Sequence, residues 1–204
     1  DWKNIMIAKD KIKKFKFNTY AKGSMKIEQL VGLAKYLKKR GELDVLVVDY
    51  LQLLDSNNHN KNRVQQVSYI SRKLKQIAMD LNIPVIALSQ LSRAGIEANG
   101  KAREPQLSDL RESGSLEQDA NTVLMLHSDD VDQKFQDQRF IKLFIRKNRD
   151  GRLGMIHYTF YGDYVNFVET EWDDDARRYV EVIQEDLELK AHKDLMDIDP
   201  ERPF

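Results

Sequence analysis

Apolar residues recur at helical spacing in two segments of the chain. From Ile27 to Arg40 they fall on one side, and Gly41 follows them as a helix-terminating glycine does. From Val64 to Leu81 the same spacing returns, and Asn82 with Pro84 stops it, because the residue before a proline avoids the helical conformation. The pattern predicts one helix over each segment.

Short, continuous apolar runs flank the second of these helices. Val45–Val48 is rich in β-branched residues, and Pro84–Leu88 has the same character. Such runs are typical of strands covered on both faces, as in a parallel sheet. The order strand, helix, strand predicts a βαβ unit with parallel strands and a right-handed crossover.

The second half of the chain predicts loops, one short helix and further strands. Glycines, a proline and charges between residues 92 and 114 predict a long surface loop. The short helix is expected at 115–120, a third strand at 122–127, and antiparallel strand arms at 140–146 and 155–168, with turns at 150–151 and 162–163. The fold class is therefore α/β, with a parallel sheet core, flanking helices and an antiparallel β extension.

The two ends of the chain differ from its middle. Residues 1–24 are lysine-rich and too weakly patterned to predict an element. Acidic residues 173–175 can cap a helix, predicted from Ala176 to about Leu195, because carboxylates favour a helix N-terminus. The acidic end after that helix is expected to fray. We therefore divide the chain into a main domain, 1–170, and a tail, 171–204.

Composition narrows the class of protein. Hydrophobic residues make up 41% of the 204 residues, which is enough for a core, and the 33 basic residues balance the 33 acidic ones. A net charge of zero does not favour nucleic-acid binding, so any basic DNA-binding groups must be local. The absence of cysteine excludes disulfides and thiolate metal sites and is compatible with a reducing cytosol. No apolar run approaches the roughly 18 residues that span a bilayer, so no membrane partner is expected.

Polar side chains follow both strands of the predicted βαβ unit. Asp49 comes directly after the first strand, and Ser89 with Gln90 ends the second. Ligands of open α/β sheets bind outside the carboxyl ends of the strands. A carboxylate there can hold the water shell of a phosphate-bound Mg²⁺, and an amide can sense a γ-phosphate or orient water. The alternatives are a helix cap or strand-end aspartate and a polar residue that merely leaves its strand.

Two further stretches carry candidate chemistry. Lys147 and Arg149 stand two apart on a predicted strand, so their side chains share a face and can neutralise phosphate charge in a neighbouring subunit. The loop 108–114 holds Arg111 and Gly114 and can grip a single-strand phosphate through backbone N–H groups and a guanidinium. The alternatives are a solvated basic strand end and a helix-preceding loop with an internal Arg–Glu pair.

Four strings, in this order, closely resemble successive motifs of DnaB-type replicative DNA helicases. The resemblance covers roughly residues 1–170, and the second and third strings are the most specific. The strings are VVDYLQL at 47–53, ALSQLSR at 87–93, SDLRESGSLEQDA at 108–120 and KNRDG at 147–151.

The resemblance implies a RecA-like fold, truncated on its N-terminal side, and an ATP-dependent helicase of DNA replication. Such helicases form ring-shaped homo-hexamers that move 5′ to 3′ on single-stranded DNA. ATP and Mg²⁺ are the implied cofactors, and a primase or a helicase loader is a further implied partner. The implied location is the cytoplasm of a bacterium or of a phage-infected host cell.

The resemblance also implies a role for each matched residue. Asp49 corresponds to the Walker B aspartate, which holds Mg²⁺ through water, and Gln90 to the glutamine that contacts the γ-phosphate. Lys147 and Arg149 correspond to the basic pair offered to the adjacent subunit's nucleotide, with catalytic and nucleotide-binding roles. The residues that correspond to the DNA-holding loop of the central channel are Arg111, Glu112 and Gly114.

The sequence also departs from the family's pattern. It contains no G-x-x-x-x-G-K-[ST] loop, and the catalytic glutamate that follows this loop in the family is missing too. The family's amino-terminal collar domain and linker helix are likewise missing, and Asp150 and Arg152 stand where the family usually has asparagine and proline. The chain is therefore expected to be a segment of a longer protein, and alone it is predicted to be inactive.

Two other functions are compatible with these residues. The first is a non-enzymatic remnant that binds single-stranded DNA or a partner, which predicts salt-sensitive binding without nucleotide. The second is a relative of RecA-type recombinases, which share the fold, although the string at 108–120 argues against it.

Overall fold

The structure, a computed structural model, describes most of the chain between residues 2 and 182. It divides into two compact units, the first within residues 1–92 and 110–120 and the second within 93–109 and 121–204. The described residues are 2–21, 25–56, 62–91, 103–110, 114–128, 138–173 and 178–182.

The first predicted helix is confirmed as α2, Ile27–Lys39. Gly41 ends it with a φ of 71°, a left-handed conformation that favours glycine. The N–H groups of Glu42 and Gly41 donate to the carbonyls of Leu37 and Lys38, each across 3.0 Å, which satisfies the last turn in the manner of a Schellman motif.

The predicted βαβ unit is confirmed as β2 (Leu46–Val48), α3 (Arg63–Leu81) and β4 (Val85–Ala87). The two strands are parallel neighbours. At the start of α3, the Asn62 side chain accepts a hydrogen bond from the Gln65 N–H, and at its end Asn82 takes a left-handed φ of 48°. Both helix ends therefore follow the local residue chemistry.

One further parallel pair lies in the first unit. Strand β1 (Met25–Lys26), which directly precedes α2, pairs with β3 (Leu54–Asp55). The core of this unit is apolar and comes from α2, α3 and the strands; its most deeply buried side chains are Ile27, Leu51, Val67, Ile70 and Ile77.

The expectation that β2 is covered on both faces is wrong for the described residues. Val48 is buried, but Val47 is 56% exposed, and Ile86, its partner on β4, is 55% exposed. Alternate residues of a strand point to opposite faces, and the core formed with α2 and α3 covers only the face that carries Val48 and Leu46.

The lysine-rich amino-terminal segment contains a helix that the sequence pattern did not predict. Helix α1 spans Trp2–Ile12, and none of its residues is buried. Its apolar side chains, among them Trp2 at 80% exposure, make no core in the described structure.

The second unit is an antiparallel sheet in the order β5-β6-β7-β8-β9. Its strands confirm the predicted third strand, the antiparallel arms and the turn at 162–163, and α4 (Gly114–Asp119) in the first unit confirms the short helix. The strands are β5 (Thr122–His127), β6 (Gln138–Asn148), β7 (Gly154–Tyr161), β8 (Asn166–Asp173) and β9 (Arg178–Glu181).

The helix predicted from Ala176 to about Leu195 is wrong where the structure describes it. Residues Arg178–Glu181 form β9, which pairs antiparallel with β8, and the rest of that prediction lies outside the described residues. The cross-strand hydrogen bonds of β9 satisfy its backbone within the sheet, which outweighs the helix-capping preference of the preceding acidic residues.

Candidate functional site

Asp49 and Gln90 leave the parallel sheet of the first unit at the same edge. Val48 and Ala87 are register partners at the carboxyl ends of β2 and β4. Asp49 follows the first strand directly, and Gln90 follows the second after Leu88 and Ser89. Both side chains are exposed, so both can reach a ligand in solvent at this edge.

Backbone hydrogen bonds continue past the two strands and fix the loops beyond them. The N–H of Leu88 donates to the carbonyl of Val48 across 2.9 Å, and the N–H of Leu51 donates to the carbonyl of Leu88 across 2.8 Å. The chain then forms a 3-10 turn over Leu51–Leu53, with Leu51 buried in the core. The segment that carries Asp49 is thus tied at both of its ends to the segment that leads to Gln90.

Gln52, which the sequence analysis did not single out, contacts the end of β4. Its side-chain Nε2 donates to Ser89 Oγ across 2.9 Å and to the Gln90 carbonyl across 3.2 Å. Its Oε1 accepts from the Gln90 N–H across 3.3 Å. The letters VVDYLQL and ALSQLSR give no sign of this pairing, because 37 residues separate Gln52 from Ser89 and only the strand register brings them together.

A polar network extends from Gln52 to the start of α3. Arg63 Nη2 donates to the Gln52 carbonyl across 2.8 Å, and Arg63 Nη1 donates to Gln66 Oε1 across 3.1 Å. Gln66 Nε2 in turn donates to Asp55 Oδ1 across 2.7 Å. These bonds link the first turn of α3 to the loop that carries Asp49.

Lys147 and Arg149 lie at the end of β6 in the second unit. Lys147 is half-buried and pairs with Val123, and Arg149 is exposed just beyond the strand. The N–H of Arg149 donates to the Asn121 carbonyl across 3.1 Å, so the pairing with the β5 side continues past the last residue of β6. The backbone of this exposed cation is therefore anchored within the second unit.

Gly151 lies in the turn after the basic pair, close to the side chain of Asn148. A Cβ atom added at Gly151 would meet the side-chain amide of Asn148, whose Nδ2 donates to the Arg152 carbonyl across 3.4 Å. A larger residue at Gly151 would therefore displace the Asn148 side-chain amide.

Arg146 forms a bulge beside the basic pair, and the sequence analysis missed it as well. Val123 pairs with Lys147 while Leu124 pairs with Ile145, so Arg146 is an extra residue on β6. Its guanidinium lies 4.0 Å from the centroid of the Phe144 ring. It donates from Nε to the Pro105 carbonyl across 2.9 Å and from Nη2 to Glu104 Oε2 across 3.0 Å. Arg146 therefore anchors the segment that precedes the string at 108–120.

Asp109 organises the same segment from within. Its buried carboxylate accepts from Arg103 Nη2 across 2.6 Å and from the Gln106 N–H across 2.7 Å. The Asp109 N–H donates back to the Gln106 carbonyl across 2.8 Å. In the described part of the string, Asp109 thus has a structural role that the sequence pattern did not reveal.

The predicted DNA loop is described only in part. Arg111 and Glu112 lie outside the described residues, and Gly114 is the first residue of α4. Helix α4 is fastened to α3 by a 2.7 Å hydrogen bond from Ser71 Oγ to Asp119 Oδ2 and a 2.7 Å bond between the hydroxyls of Ser115 and Ser68.

Two further properties of the described residues concern the candidate chemistry. They include no group of three or more histidine or carboxylate side chains placed to hold a metal ion, so an ion at the strand edge would rely on Asp49, on water and on phosphate oxygens. None of the described helices is both long and apolar enough to cross a membrane.

Comparison with known proteins points to one family. The family model described as "DnaB-like helicase C terminal domain" matches residues 1–169. The replicative DNA helicase DnaC of Bacillus subtilis (strain 168) is 42% identical over 149 residues, which cover 72% of this chain and 32% of that protein. The replicative DNA helicase DnaB of Geobacillus stearothermophilus is 41% identical over 150 residues, which cover 72% of this chain and 33% of that protein. The chain thus spans about a third of the length of these curated relatives.

Among the solved structures that match the fold, two share more than a third of their aligned residues with this chain. One is described as an ATPase domain and matches with a TM-score of 0.74 and 36% identity, over 83% of this chain and 60% of that one. A DnaB-like replicative helicase, described with its interactions with primase, matches with a TM-score of 0.72 and 37% identity, over 81% of this chain and 40% of that one. The expectation of a RecA-like α/β fold is thereby confirmed.

Proposed function

The chain belongs to the DnaB-like helicase C-terminal domain family, and from this premise we propose that it is part of an ATP-dependent replicative DNA helicase. The activity proposed for the longer polypeptide is 5′ to 3′ translocation on single-stranded DNA and unwinding of the duplex ahead. ATP and Mg²⁺ are the proposed cofactors. The matched replicative helicases are about three times as long as their matched region, so the whole activity is proposed only for a longer polypeptide.

The single observation that carries this proposal is the common sheet edge of Asp49 and Gln90. The bond from the Leu88 N–H to the Val48 carbonyl keeps the two strand ends together. An exposed carboxylate beside an exposed amide fits a Mg²⁺–triphosphate, since Mg²⁺ prefers oxygen ligands and keeps several of its waters. When bound, the ion would neutralise charge on the β- and γ-phosphates. Asp49 would hold its water shell, and Gln90 would contact the γ-phosphate or orient the attacking water.

Lys147 and Arg149 are proposed to act on the nucleotide of an adjacent subunit in a homo-hexamer. The exposure of Arg149 and the anchoring of its backbone on Asn121 support this role. Cations held in a fixed position stabilise the charge that develops on a transferring phosphoryl group.

Single-stranded DNA is the proposed nucleic-acid ligand, bound by Arg111, Glu112 and Gly114. The loop lies between two fastened segments. On one side, Asp109 organises residues 103–109, and on the other side α4 is bonded to α3. A guanidinium and backbone N–H groups can grip a single-strand phosphate, which supports this role for the loop.

A primase or a helicase loader is a proposed protein partner. One matched structure is that of a DnaB-like helicase described with its interactions with primase, which supports a primase contact for the longer protein. The proposed location is the cytoplasm of a bacterium or of a phage-infected cell, where replication takes place.

Reconstitution of ATP hydrolysis tests the proposal. The 204-residue chain alone is expected neither to bind ATP tightly nor to hydrolyse it, because triphosphate affinity in such motors relies on a phosphate-cradling loop that this sequence does not contain. Joined to or mixed with an upstream segment that carries this loop, it is expected to hydrolyse ATP and to unwind a forked duplex. The proposal is contradicted if the chain alone hydrolyses ATP at a normal motor rate. It is also contradicted if the joined protein neither hydrolyses ATP nor unwinds the forked duplex.

A second candidate function is a non-enzymatic module that binds single-stranded DNA. It predicts a salt-sensitive gel shift by the chain without nucleotide, because phosphate contacts release counterions. An Arg111→Ala change should weaken that shift. A strand-exchange assay on the longer protein separates both candidates from a RecA-type recombinase.

A further inference from the structure

One side-chain amide, that of Gln52, pairs with the backbone at the end of β4. Its oxygen and nitrogen bond the N–H and the carbonyl of the same residue, Gln90, while the nitrogen also reaches Ser89 Oγ. A donor and an acceptor on one planar group thereby continue the strand pairing beyond the last β4 residue, as a peptide group of a neighbouring strand would.

Gln52 is itself held in place on both sides. The preceding residue, Leu51, is buried in the core, and its N–H donates to the Leu88 carbonyl. The Gln52 carbonyl accepts from Arg63, the first residue of α3. A side chain that extends from so constrained a turn can fix its partner, because little further freedom is lost when the bond forms.

We propose that Gln52 is a positioning residue that fixes the backbone of Ser89 and Gln90, so that the Gln90 side chain stays at the nucleotide edge beside Asp49. This inference deepens the proposed function and rests on it. Gln52 touches no reacting atom and acts only through Gln90. Its link to Arg63 connects this positioning to the first turn of α3.

The three hydrogen bonds of the Gln52 side chain determine which substitutions at this position test its role. Glutamate has the same length and keeps an acceptor for the Gln90 N–H, but it loses the donor and brings a carboxylate against the Gln90 carbonyl oxygen. Methionine keeps the length and loses both functions. Gln66→Met is the matched control, because Gln66 belongs to the same network through Arg63 and Asp55, and the bonds described for it reach neither Ser89 nor Gln90.

The first readout is amide hydrogen exchange of the 204-residue chain. Gln52→Met, which loses the acceptor of the Gln90 N–H, is expected to speed exchange of that N–H by about tenfold, the size expected when one modest hydrogen bond is lost, and Gln66→Met is expected not to. Unchanged exchange at Gln90 in Gln52→Met overturns the inference.

The second readout is ATP turnover in the protein completed with the phosphate-loop segment. Gln52→Glu is expected to lower kcat by about 10²-fold with little change in KM, because a small misplacement of an orienting group affects the chemical step more than binding. In a Gln90→Ala background the same change is expected to cost almost nothing further, because the group that Gln52 positions is gone.

The outcomes separate this inference from the proposed function. If the completed wild type is active and Gln52→Glu keeps its kcat, only the positioning role is contradicted. The same holds if Gln52→Glu lowers kcat by the same factor in the wild-type and the Gln90→Ala backgrounds. A completed wild type that never hydrolyses ATP contradicts the proposed function, and the catalytic consequence drawn from Gln52 with it.

Discussion

The N–H of Leu88 donates a hydrogen bond to the carbonyl oxygen of Val48 across 2.9 Å, one residue beyond the last register pair of β2 and β4. Asp49 is the next residue after Val48, and Gln90 comes two residues after Leu88. The bond therefore holds the Asp49 carboxylate and the Gln90 amide at the same edge of the sheet. The βαβ order makes this possible, because parallel strands bring their carboxyl ends to the same side.

Two glycines of the α2 region are predicted to respond to alanine in opposite directions. Gly41 has a φ of 71°, and a Cβ added there meets no atom within 4 Å. The only cost of Gly41→Ala is therefore that of holding alanine in the left-handed conformation, which is expected to lower the free energy of unfolding by about 1 kcal/mol. Gly32 lies inside α2, and a Cβ added there also meets no atom within 4 Å. Because alanine favours a helix over glycine, Gly32→Ala is expected to raise the free energy of unfolding by about 1 kcal/mol. Urea unfolding of both variants checks the signs, and a shift in the same direction for both would contradict this account of the helix end.

Tyr69→Phe is predicted to destabilise the first unit at neutral pH. The Tyr69 hydroxyl donates to Glu28 Oε1 across 3.1 Å, and the other oxygen, Oε2, is buried without a hydrogen-bond partner among the described residues. Loss of the donor is expected to cost about 1 kcal/mol of unfolding free energy. Urea unfolding at pH 7 measures it, with the exposed Tyr164→Phe as the control that should change little.

The same pair predicts a pH dependence. Burial, and then the hydrogen bond to Glu28, raises the pKa of Tyr69 above its ordinary value. The folded state thus holds the phenol proton more tightly than the unfolded state. This stabilisation is complete below about pH 10, the ordinary tyrosine pKa, and is lost as pH rises through the folded pKa. The stability difference between wild type and Tyr69→Phe should therefore shrink above about pH 10, and a difference that grows there would show the sign to be wrong.

Arg149→Ala is predicted to lower ATP turnover of the completed ring by about 10³-fold, the range expected for loss of an arginine that stabilises transferred phosphate. Nucleotide affinity should be unchanged, because Arg149 is proposed to serve the neighbouring subunit's transition state. Arg152→Ala, three residues along the same turn and also exposed, is the control and should keep turnover. A strong loss of nucleotide binding in Arg149→Ala would instead indicate a structural role.

Local sequence chemistry predicted the elements that position the strand edge. Gly41 and Asn82 mark helix ends through their own backbone preferences, and these ends are confirmed. The apolar runs predicted two strands, and their order along the chain predicted parallel pairing. These features depend on neighbours within a few residues, which a single sequence displays.

Features that depend on distant contacts were missed or predicted wrongly. Gln52 and Arg146 act on residues 37 to 42 positions away, and nothing near them in the sequence indicates their partners. The apolar runs predicted that both faces of β2 and β4 are buried, but one face is exposed. An apolar run shows that a strand can be covered, but it does not show which element covers it. Strand β9 replaced part of a predicted helix because its pairing with β8 is a tertiary interaction.

Asp49→Asn in the protein completed with the phosphate-loop segment tests the central claim most directly. Asp49 is exposed, so the change should leave folding intact, yet Mg²⁺-dependent ATP turnover on single-stranded DNA should fall by about 10³-fold, since the ion's charge stabilisation is worth several kcal/mol. The control is Asp44→Asn, a change of another exposed aspartate, which precedes β2 and should retain turnover. Equal turnover in the two variants would contradict the assignment of this sheet edge as part of a nucleotide site.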